Sequence, residues 1–341
     1  MRLEETEKLL IEDLFLKSVE EKKIAPVLNI ALEKLTGDAS TRRYYRLTGD
    51  NRQYVICLDT PCVDKEYPFI VLHKVYQENH VSVPAIYDSN LSRGYLLEQD
   101  LGDQTFLRRL ATVASADEEL KLYEGTIKEL IKINSIPLEN YHGSTFQNLS
   151  FDFDKLMSEC DFTLNHFIKK ILNKGISNAE SSIFHKDLGE ICKKISCKKM
   201  VLCHRDYHSR NIMVKDDGLF VIDFQDSRKG IPQYDLVSLL DDCYYKLSEN
   251  NKKILIKIYY DEMKNFLGDQ SLDEFMYLYS LTMIQRVYKA IGSFAYIYNL
   301  RGDFRYLKYI GYGFEKIRTT LMEIGEFSDL RIILSRYYYE H

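Results

Sequence analysis

The first hundred residues alternate short apolar runs with tight polar breaks. "YYRLTG", "QYVICLD", "PAIYD" and "GYLLEQD" are bounded by Gly, Asp, Asn or Pro, a pattern that predicts strands joined by turns. Between the second and third of them, Phe69, Leu72, Val75 and Tyr76 fall at helical spacing and predict one helix interrupting the sheet. The acidic, amphipathic opening "MRLEETEKLLIEDLFLKSVE" predicts a leading helix.

After Gly102 the apolar positions mostly recur at helical spacing. The exception is "NIMVKDDGLFVIDF", in which two apolar runs flank an Asp-Gly turn signal and predict a hairpin. From about residue 250 the pattern is helical again. Ile254, Leu255, Ile258, Tyr259, Met263, Phe266 and Leu267 line one face, and Gly268 ends it. Ser271 and Glu274 then stand at capping-box spacing before "FMYLYSLTMIQRVYKAIGSFAYIY". The expected fold is α+β, with a small antiparallel-sheet N-lobe over 1–102 and a large, mainly helical C-lobe over 103–341. A chain of 341 residues is long for one compact core, which agrees with two lobes.

Composition narrows the function classes. A net charge of -5 gives no global attraction to nucleic acid or anionic membranes, so neither is an expected partner. No apolar run approaches the roughly 18 residues of a membrane span, and no targeting segment is visible, so a cytoplasmic location is expected. The seven cysteines form no C-x-x-C pair and several sit in apolar runs; they read as free thiols in a reducing cytosol.

The densest polar chemistry lies in "VLCHRDYHSRNIMVKDDGLFVIDFQD", residues 201–226. His204, Arg205 and Asp206 precede Asn211 in the spacing H-R-D-x-x-x-x-N, and Asp223 closes the next apolar run. Kinase-type phosphoryl transfer needs an Asp to accept the attacking hydroxyl's proton, and an Asn with a second Asp to hold Mg²⁺ against the nucleotide phosphates. The hairpin would bring Asn211 and Asp223 together as oxygen ligands of a hard cation. Two other readings compete: turn-forming polar residues around a hairpin, and a zinc site on His204 and His208. The second needs a helix where the β-like "NIMV" begins. His204 is expected to be packed and hydrogen-bonded to backbone.

"LCHRDYHSRNIMV", "VIDFQD" and "YDLVSLLDDCYY" resemble the aminoglycoside phosphotransferase-like superfamily, whose fold is that of protein kinases. "GDASTRRYYRL", "YLLEQDLGDQTF" and "QRVYKAIGSF" are similar, more narrowly, to bacterial anomeric kinases of N-acetylmuramate and N-acetylglucosamine, which act at C1 in cell-wall recycling. The resemblance implies ATP and Mg²⁺ as cofactors and an amino sugar as the small-molecule partner. It implies Asp206 as catalytic base, Asn211 and Asp223 as metal ligands, and Glu98 to Leu101 as a hinge whose backbone meets adenine. Asp235 would tie the segment after Asp223 to the catalytic loop; from local sequence a helix N-cap is an equal reading.

No G-x-G-x-x-G is present. Gly37, Ser40 and Thr41 are expected to turn backbone N–H groups toward phosphate, with Arg42 or Arg43 neutralising it. Cys57 and Leu58 stand where a kinase places its phosphate-binding Lys, so an arginine of this segment is the expected substitute. For the acceptor the candidates are Arg205, Tyr207, His208, Gln225, Asp226 and Arg286, with Gln285 and Lys289 on the same long helix. Asp241 and Asp242 keep open a cationic acceptor, an aminoglycoside or choline-like amine, or another alcohol. A nucleotide-binding pseudokinase is the remaining alternative.

Overall fold

The alternation of the first hundred residues becomes a five-stranded antiparallel sheet. The computed structural model describes residues 5–35, 42–50, 52–62 and 67–340. Helix α1 (Glu5–Glu20) precedes strands β1 (Ala31–Leu35), β2 (Arg43–Gly49) and β3 (Arg52–Leu58). Helix α2 (Pro68–Glu78), β4 (Ile86–Asn90) and β5 (Tyr95–Gln99) follow, and the strand order is β1-β2-β3-β5-β4. Four of these strands match the apolar runs. β1, "ALEKL", does not, because a partly exposed edge strand needs no continuous apolar run.

The period of two sorts the side chains. Tyr45, Leu47, Ile56, Leu58, Tyr95 and Leu97 pack on Ile11, Leu14 and Phe15 of α1. On the opposite face, Cys57 and Leu96 join Leu72, Val75 and Tyr76 of α2 in the main core. One face of the sheet is thus closed by the leading helix, and the other is turned toward the rest of the chain.

The helical part begins with α3 (Phe106–Leu110), α4 (Ala116–Asn134), α5 (Phe153–Thr163) and α6 (Asn178–Ser196). Short strands β6 (Val201–Cys203), β7 (Ile212–Lys215), β8 (Gly218–Val221) and β9 (Arg228–Gly230) come next. Five further helices are α7 (Gln233–Leu240), α8 (Glu249–Leu267), α9 (Leu272–Arg301), α10 (Lys308–Ile324) and α11 (Ser328–Tyr339). β7 and β8 are the expected hairpin, but its two central residues are Asp216 and Asp217, at φ 50° and 60°, with Lys215 opposite Gly218. Both aspartates take the left-handed conformation of a type I′ turn, so Gly218 opens the second strand instead of turning the chain.

β6 pairs with β9 from Val201↔Gly230 to Cys203↔Arg228, which cinches the ends of the whole polar stretch. The predicted face of α8 is present with Leu255, Tyr259 and Met263 buried, while Ile254 and Phe266 lie at its edge, 37% and 39% exposed. At the start of α9 the Ser271 hydroxyl accepts the Glu274 N–H, but the Glu274 carboxylate turns to Lys198 at 2.6 Å instead of completing the box.

A π-helical turn, Leu164–Ile171, continues α5 and packs on α9. Gly292 makes this approach possible: a Cβ there would lie 2.3 Å from Thr163 Oγ1 and 2.8 Å from its Cα. Thr163 donates its hydroxyl to the Tyr288 carbonyl at 2.9 Å, which ties the end of α5 to the segment of α9 carrying Arg286 and Lys289. All seven cysteines are free, five of them buried. No helix among the described residues is long and apolar enough to cross a membrane.

Candidate active site

The loop after β6 is held from below by a buried carboxylate. Asp235 accepts the backbone N–H groups of His204 at 2.6 Å and Arg205 at 3.0 Å. Pro232 occupies the N-cap of α7, so Asp235 lies inside the helix and the capping alternative is set aside. Burial pushes the Asp235 carboxyl up to about 7, against the pull of its two N–H donors.

His204 ties the same loop to the segment before Asp223. Its Nε2 meets the Ile222 carbonyl at 2.9 Å and its Nδ1 accepts the Asp206 N–H at 3.3 Å. Burial pulls the imidazole down to about 4, so the neutral ring donates from Nε2 and accepts at Nδ1. With both nitrogens engaged, His204 does not serve a zinc site, and the described residues contain no metal-holding group of three His, Cys, Asp or Glu.

Two residues here take the left-handed region without being glycine: Arg205 at φ 84° and Asp223 at φ 65°. Such conformations cost on the order of 1–3 kcal/mol each and persist only where neighbours enforce them. Asp235 accepts the N–H of Arg205, and the Ile222 N–H bonds the Asn211 carbonyl just before Asp223.

Asp206 sits among cations. Lys289 Nζ donates to its Oδ1 at 3.0 Å, with Arg286 Nη2 at 3.6 Å from that oxygen and Arg205 Nε at 3.7 Å from Oδ2. Burial alone would raise this carboxyl, but Lys289, Arg205 and Arg286 outweigh it and hold it well below the usual carboxylate range. It is ionised, as a proton acceptor must be.

Asn211 donates its amide to the Asp206 carbonyl at 3.0 Å, which leaves its side-chain oxygen for another partner. The Ile222 N–H bonds the Asn211 carbonyl at 3.0 Å, so Asp223, the next residue, is brought beside this loop. Gln225 donates to Asp223 Oδ1 at 2.8 Å. Burial raises the Asp223 carboxyl, and the Asp206 charge adds to the effect. An amide oxygen and a carboxylate facing one space fit Mg²⁺, whose remaining positions are commonly taken by water and phosphate oxygens.

On the sheet side the arginine question is resolved by strand parity. Arg43 points to α1, where its Nε lies 2.6 Å from Glu7, so the expectation that Arg43 meets phosphate is corrected. Arg42 bonds Asp59 at 2.9 Å and stacks over Phe69 at 5.3 Å, and its charge lowers both Glu98 and Asp223. Cys57 is no substitute for the Lys, since burial pushes its thiol up to about 12 and keeps it neutral. Arg42→Met is expected to raise the KM for ATP about tenfold, as loss of a charge-assisted contact does, while Arg43→Met stays within about twofold. Initial rates against ATP concentration for both variants check this. Gly37, Ser40 and Thr41 lie outside the described residues.

The segment from Glu98 to Leu101 joins the sheet to the helical part, and Leu101 is buried. Asp100 accepts from Arg46 at 2.6 and 3.1 Å and from the Gly102 N–H at 2.7 Å, while Lys215 donates to its carbonyl at 2.6 Å. This strap was not apparent from the sequence. The Glu98 side chain is buried with Oε1 unpartnered, and burial raises it to about 7. A raised folded-state value means that stability is full below the unfolded value and falls as pH rises toward about 7. Glu98→Gln is therefore expected to gain melting temperature relative to the wild type, with a larger gain at pH 8 than at pH 5; thermal melts at both values check it.

A cavity of about 640 Å³ opens beside Asp206, lined among others by His208, Asn211, Asp223, Gln225, Ser238 and Phe294. Arg205, Asp226, Arg286 and Lys289 also line it. Arg205 pairs with Asp226 at 2.6 Å. Tyr207 is corrected: it is fully buried, and its hydroxyl donates to the Thr126 carbonyl of α4 at 2.7 Å, so it is core. Gln285 reaches toward Leu156 and Glu159 of α5 and is absent from the lining.

The two acids of "SLLDDCYY" are already engaged. Asp241 accepts from Lys252 at 2.7 Å and Tyr279 at 2.6 Å, with Lys316 at 3.3 Å. Asp242 accepts the Ser209 N–H at 3.0 Å, the Ser209 hydroxyl at 2.5 Å and the Tyr244 N–H at 2.9 Å.

The sequence profile of the phosphotransferase enzyme family matches residues 31–251. An N-acetylmuramate/N-acetylglucosamine kinase of Pseudomonas putida is 28% identical over 304 residues, 87% of this chain and 87% of the relative. One from Neisseria meningitidis serogroup B is 25% identical over 315 residues, 91% of this chain and 92% of the relative. Among solved structures, the ADP-bound aminoglycoside phosphotransferase APH(2'')-Ib aligns with a TM-score of 0.59 at 17% identity, over 96% of this chain and 98% of that one. An ethanolamine kinase of Plasmodium vivax aligns with a TM-score of 0.61 at 15% identity, over 95% and 91%. This likeness shows the fold to be protein-kinase-like, as expected.

Proposed function

The chain belongs to the phosphotransferase enzyme family, with an alcohol group as acceptor, and from that premise we propose that it phosphorylates the anomeric hydroxyl of an amino sugar, N-acetylmuramate or N-acetylglucosamine, at the expense of ATP. The observation that carries this reading is an ionised Asp206 lining a cavity of about 640 Å³ beside Asn211 and Asp223. Asp206 orients the acceptor hydroxyl and takes its proton as the new O–P bond forms. Asn211 and Asp223 would hold Mg²⁺, which when bound offsets the charge of the nucleotide phosphates. Arg42 stands on the sheet side for the same charge. Residues 1–102 then form the nucleotide-binding lobe and 103–341 the catalytic and acceptor lobe. Use of ATP and a full set of free thiols favour a cytoplasmic location.

A cationic acceptor is disfavoured. Asp241 and Asp242 spend their oxygens on Lys252, Lys316, Tyr279 and Ser209, while Arg286 and Lys289 line the cavity. A pseudokinase is disfavoured because Asp206, Asn211 and Asp223 converge in one place. The test is ³¹P NMR with ATP, Mg²⁺ and each sugar. A sugar 1-phosphate doublet is expected, and intact ATP with both sugars would refute the acceptor.

A further inference from the structure

Arg286 and Lys289 of α9 both face Asp206. Lys289 bonds Oδ1 at 3.0 Å, whereas Arg286 Nη2, at 3.6 Å, is too far for a hydrogen bond. The neighbouring carboxylates have partners of their own: Asp226 has Arg205, Asp241 has Lys252 and Lys316, Asp242 has Ser209, and Glu159 has Lys155. Arg286, which is buried, and Lys289, which is partly buried, therefore share one carboxylate.

The Arg286 donors are also underused. Nε donates to Ser238 Oγ at 2.7 Å, but neither terminal nitrogen has a hydrogen bond among the described residues, although the side chain is only 9% exposed. The terminal nitrogens belong to a residue that lines the cavity, and a planar guanidinium fork matches a carboxylate. Both cations line the cavity with Val287, Ala290 and Ser293 of the same helix; Tyr44 of β2 also lines it, but Arg42 and Glu98 do not. A group bound there belongs to the acceptor.

We propose that Arg286 and Lys289 receive a carboxylate of the acceptor and so favour an acidic amino sugar over a neutral one, an inference that rests on the amino-sugar reading above. The arriving carboxylate draws Lys289 away from Asp206 Oδ1 and leaves that oxygen to the acceptor hydroxyl. A neutral sugar brings no competing anion and meets an Asp206 still held by Lys289.

The test is calorimetric binding of N-acetylmuramate and N-acetylglucosamine to the full chain and to Lys289→Met, Lys289→Arg and Arg286→Lys. The wild type is expected to bind the acidic sugar roughly tenfold to a hundredfold more tightly, the range of a charged hydrogen bond. The gap should close to within about threefold in Lys289→Met and reopen in Lys289→Arg. Arg286→Lys keeps the charge and loses the fork, so it should narrow the gap even if Lys289→Met fails to fold. Equal affinities in the wild type, or equal losses for both sugars in the variants, overturn the inference. If neither sugar binds, the amino-sugar reading falls by itself. D-lactate then decides by saturation-transfer NMR: a signal lost in Arg286→Lys or Lys289→Met supports the anion site, and no signal in the wild type refutes it.

Discussion

Asp206→Asn lowers turnover by about 10²-fold or more, the range lost with a general base. The amide is isosteric, and Asn211 bonds the Asp206 backbone carbonyl, not the side chain, so the loop keeps its geometry. What disappears is the proton acceptor and the anion beside Lys289 and Arg286. Those two cations then repel each other across the wall, and a modest fall in melting temperature accompanies the loss of rate. ATP affinity should stay near the wild-type value, because the sheet side and Asp223 are untouched. Turnover by ³¹P NMR, melting temperature and nucleotide titration on one preparation separate these effects. Near-native turnover would remove Asp206 from the mechanism.

Asp235→Ala is expected to cost roughly 2–6 kcal/mol of stability, since two N–H groups lose their acceptor at about 1–3 kcal/mol each. The cost falls on the N–H groups of His204 and Arg205. Arg205 needs its neighbours to stay at φ 84°, so the loop relaxes and turnover drops although Asp235 touches no substrate. Asp235→Asn retains one carbonyl oxygen and should fall between the Ala variant and the wild type. Urea unfolding and initial rates on all three proteins test this. An Ala variant with wild-type stability would mean that the two hydrogen bonds contribute nothing net.

The local patterns were legible. Short apolar runs bounded by turn residues placed four strands of the sheet, because Gly, Asp, Asn and Pro favour the conformations that end a strand. The spacing of Asp206, Asn211 and Asp223 was readable because one loop and the hairpin that follows it carry all three. The hairpin turn was located but its centre was misplaced, since Asp216 and Asp217 both adopt positive φ. Such a conformation is uncommon outside glycine, and the Asp-Gly pair masked it.

What the sequence by itself determined is the protein-kinase-like fold and the close spacing of Asp206, Asn211 and Asp223 in one short stretch. Tertiary structure decided everything that depends on which face meets which. Arg42 turned to Asp59 and Phe69, and Arg43 to Glu7, because α1 covers one side of the sheet. Tyr207 went into the core while His208 stayed on the cavity. Asp241 was taken by Lys252 and Lys316, and Lys289 was carried to Asp206 across 83 positions of chain by a helix seated on Gly292. Contacts of that kind are fixed by the packing of whole elements, and no local spacing of residues encodes them.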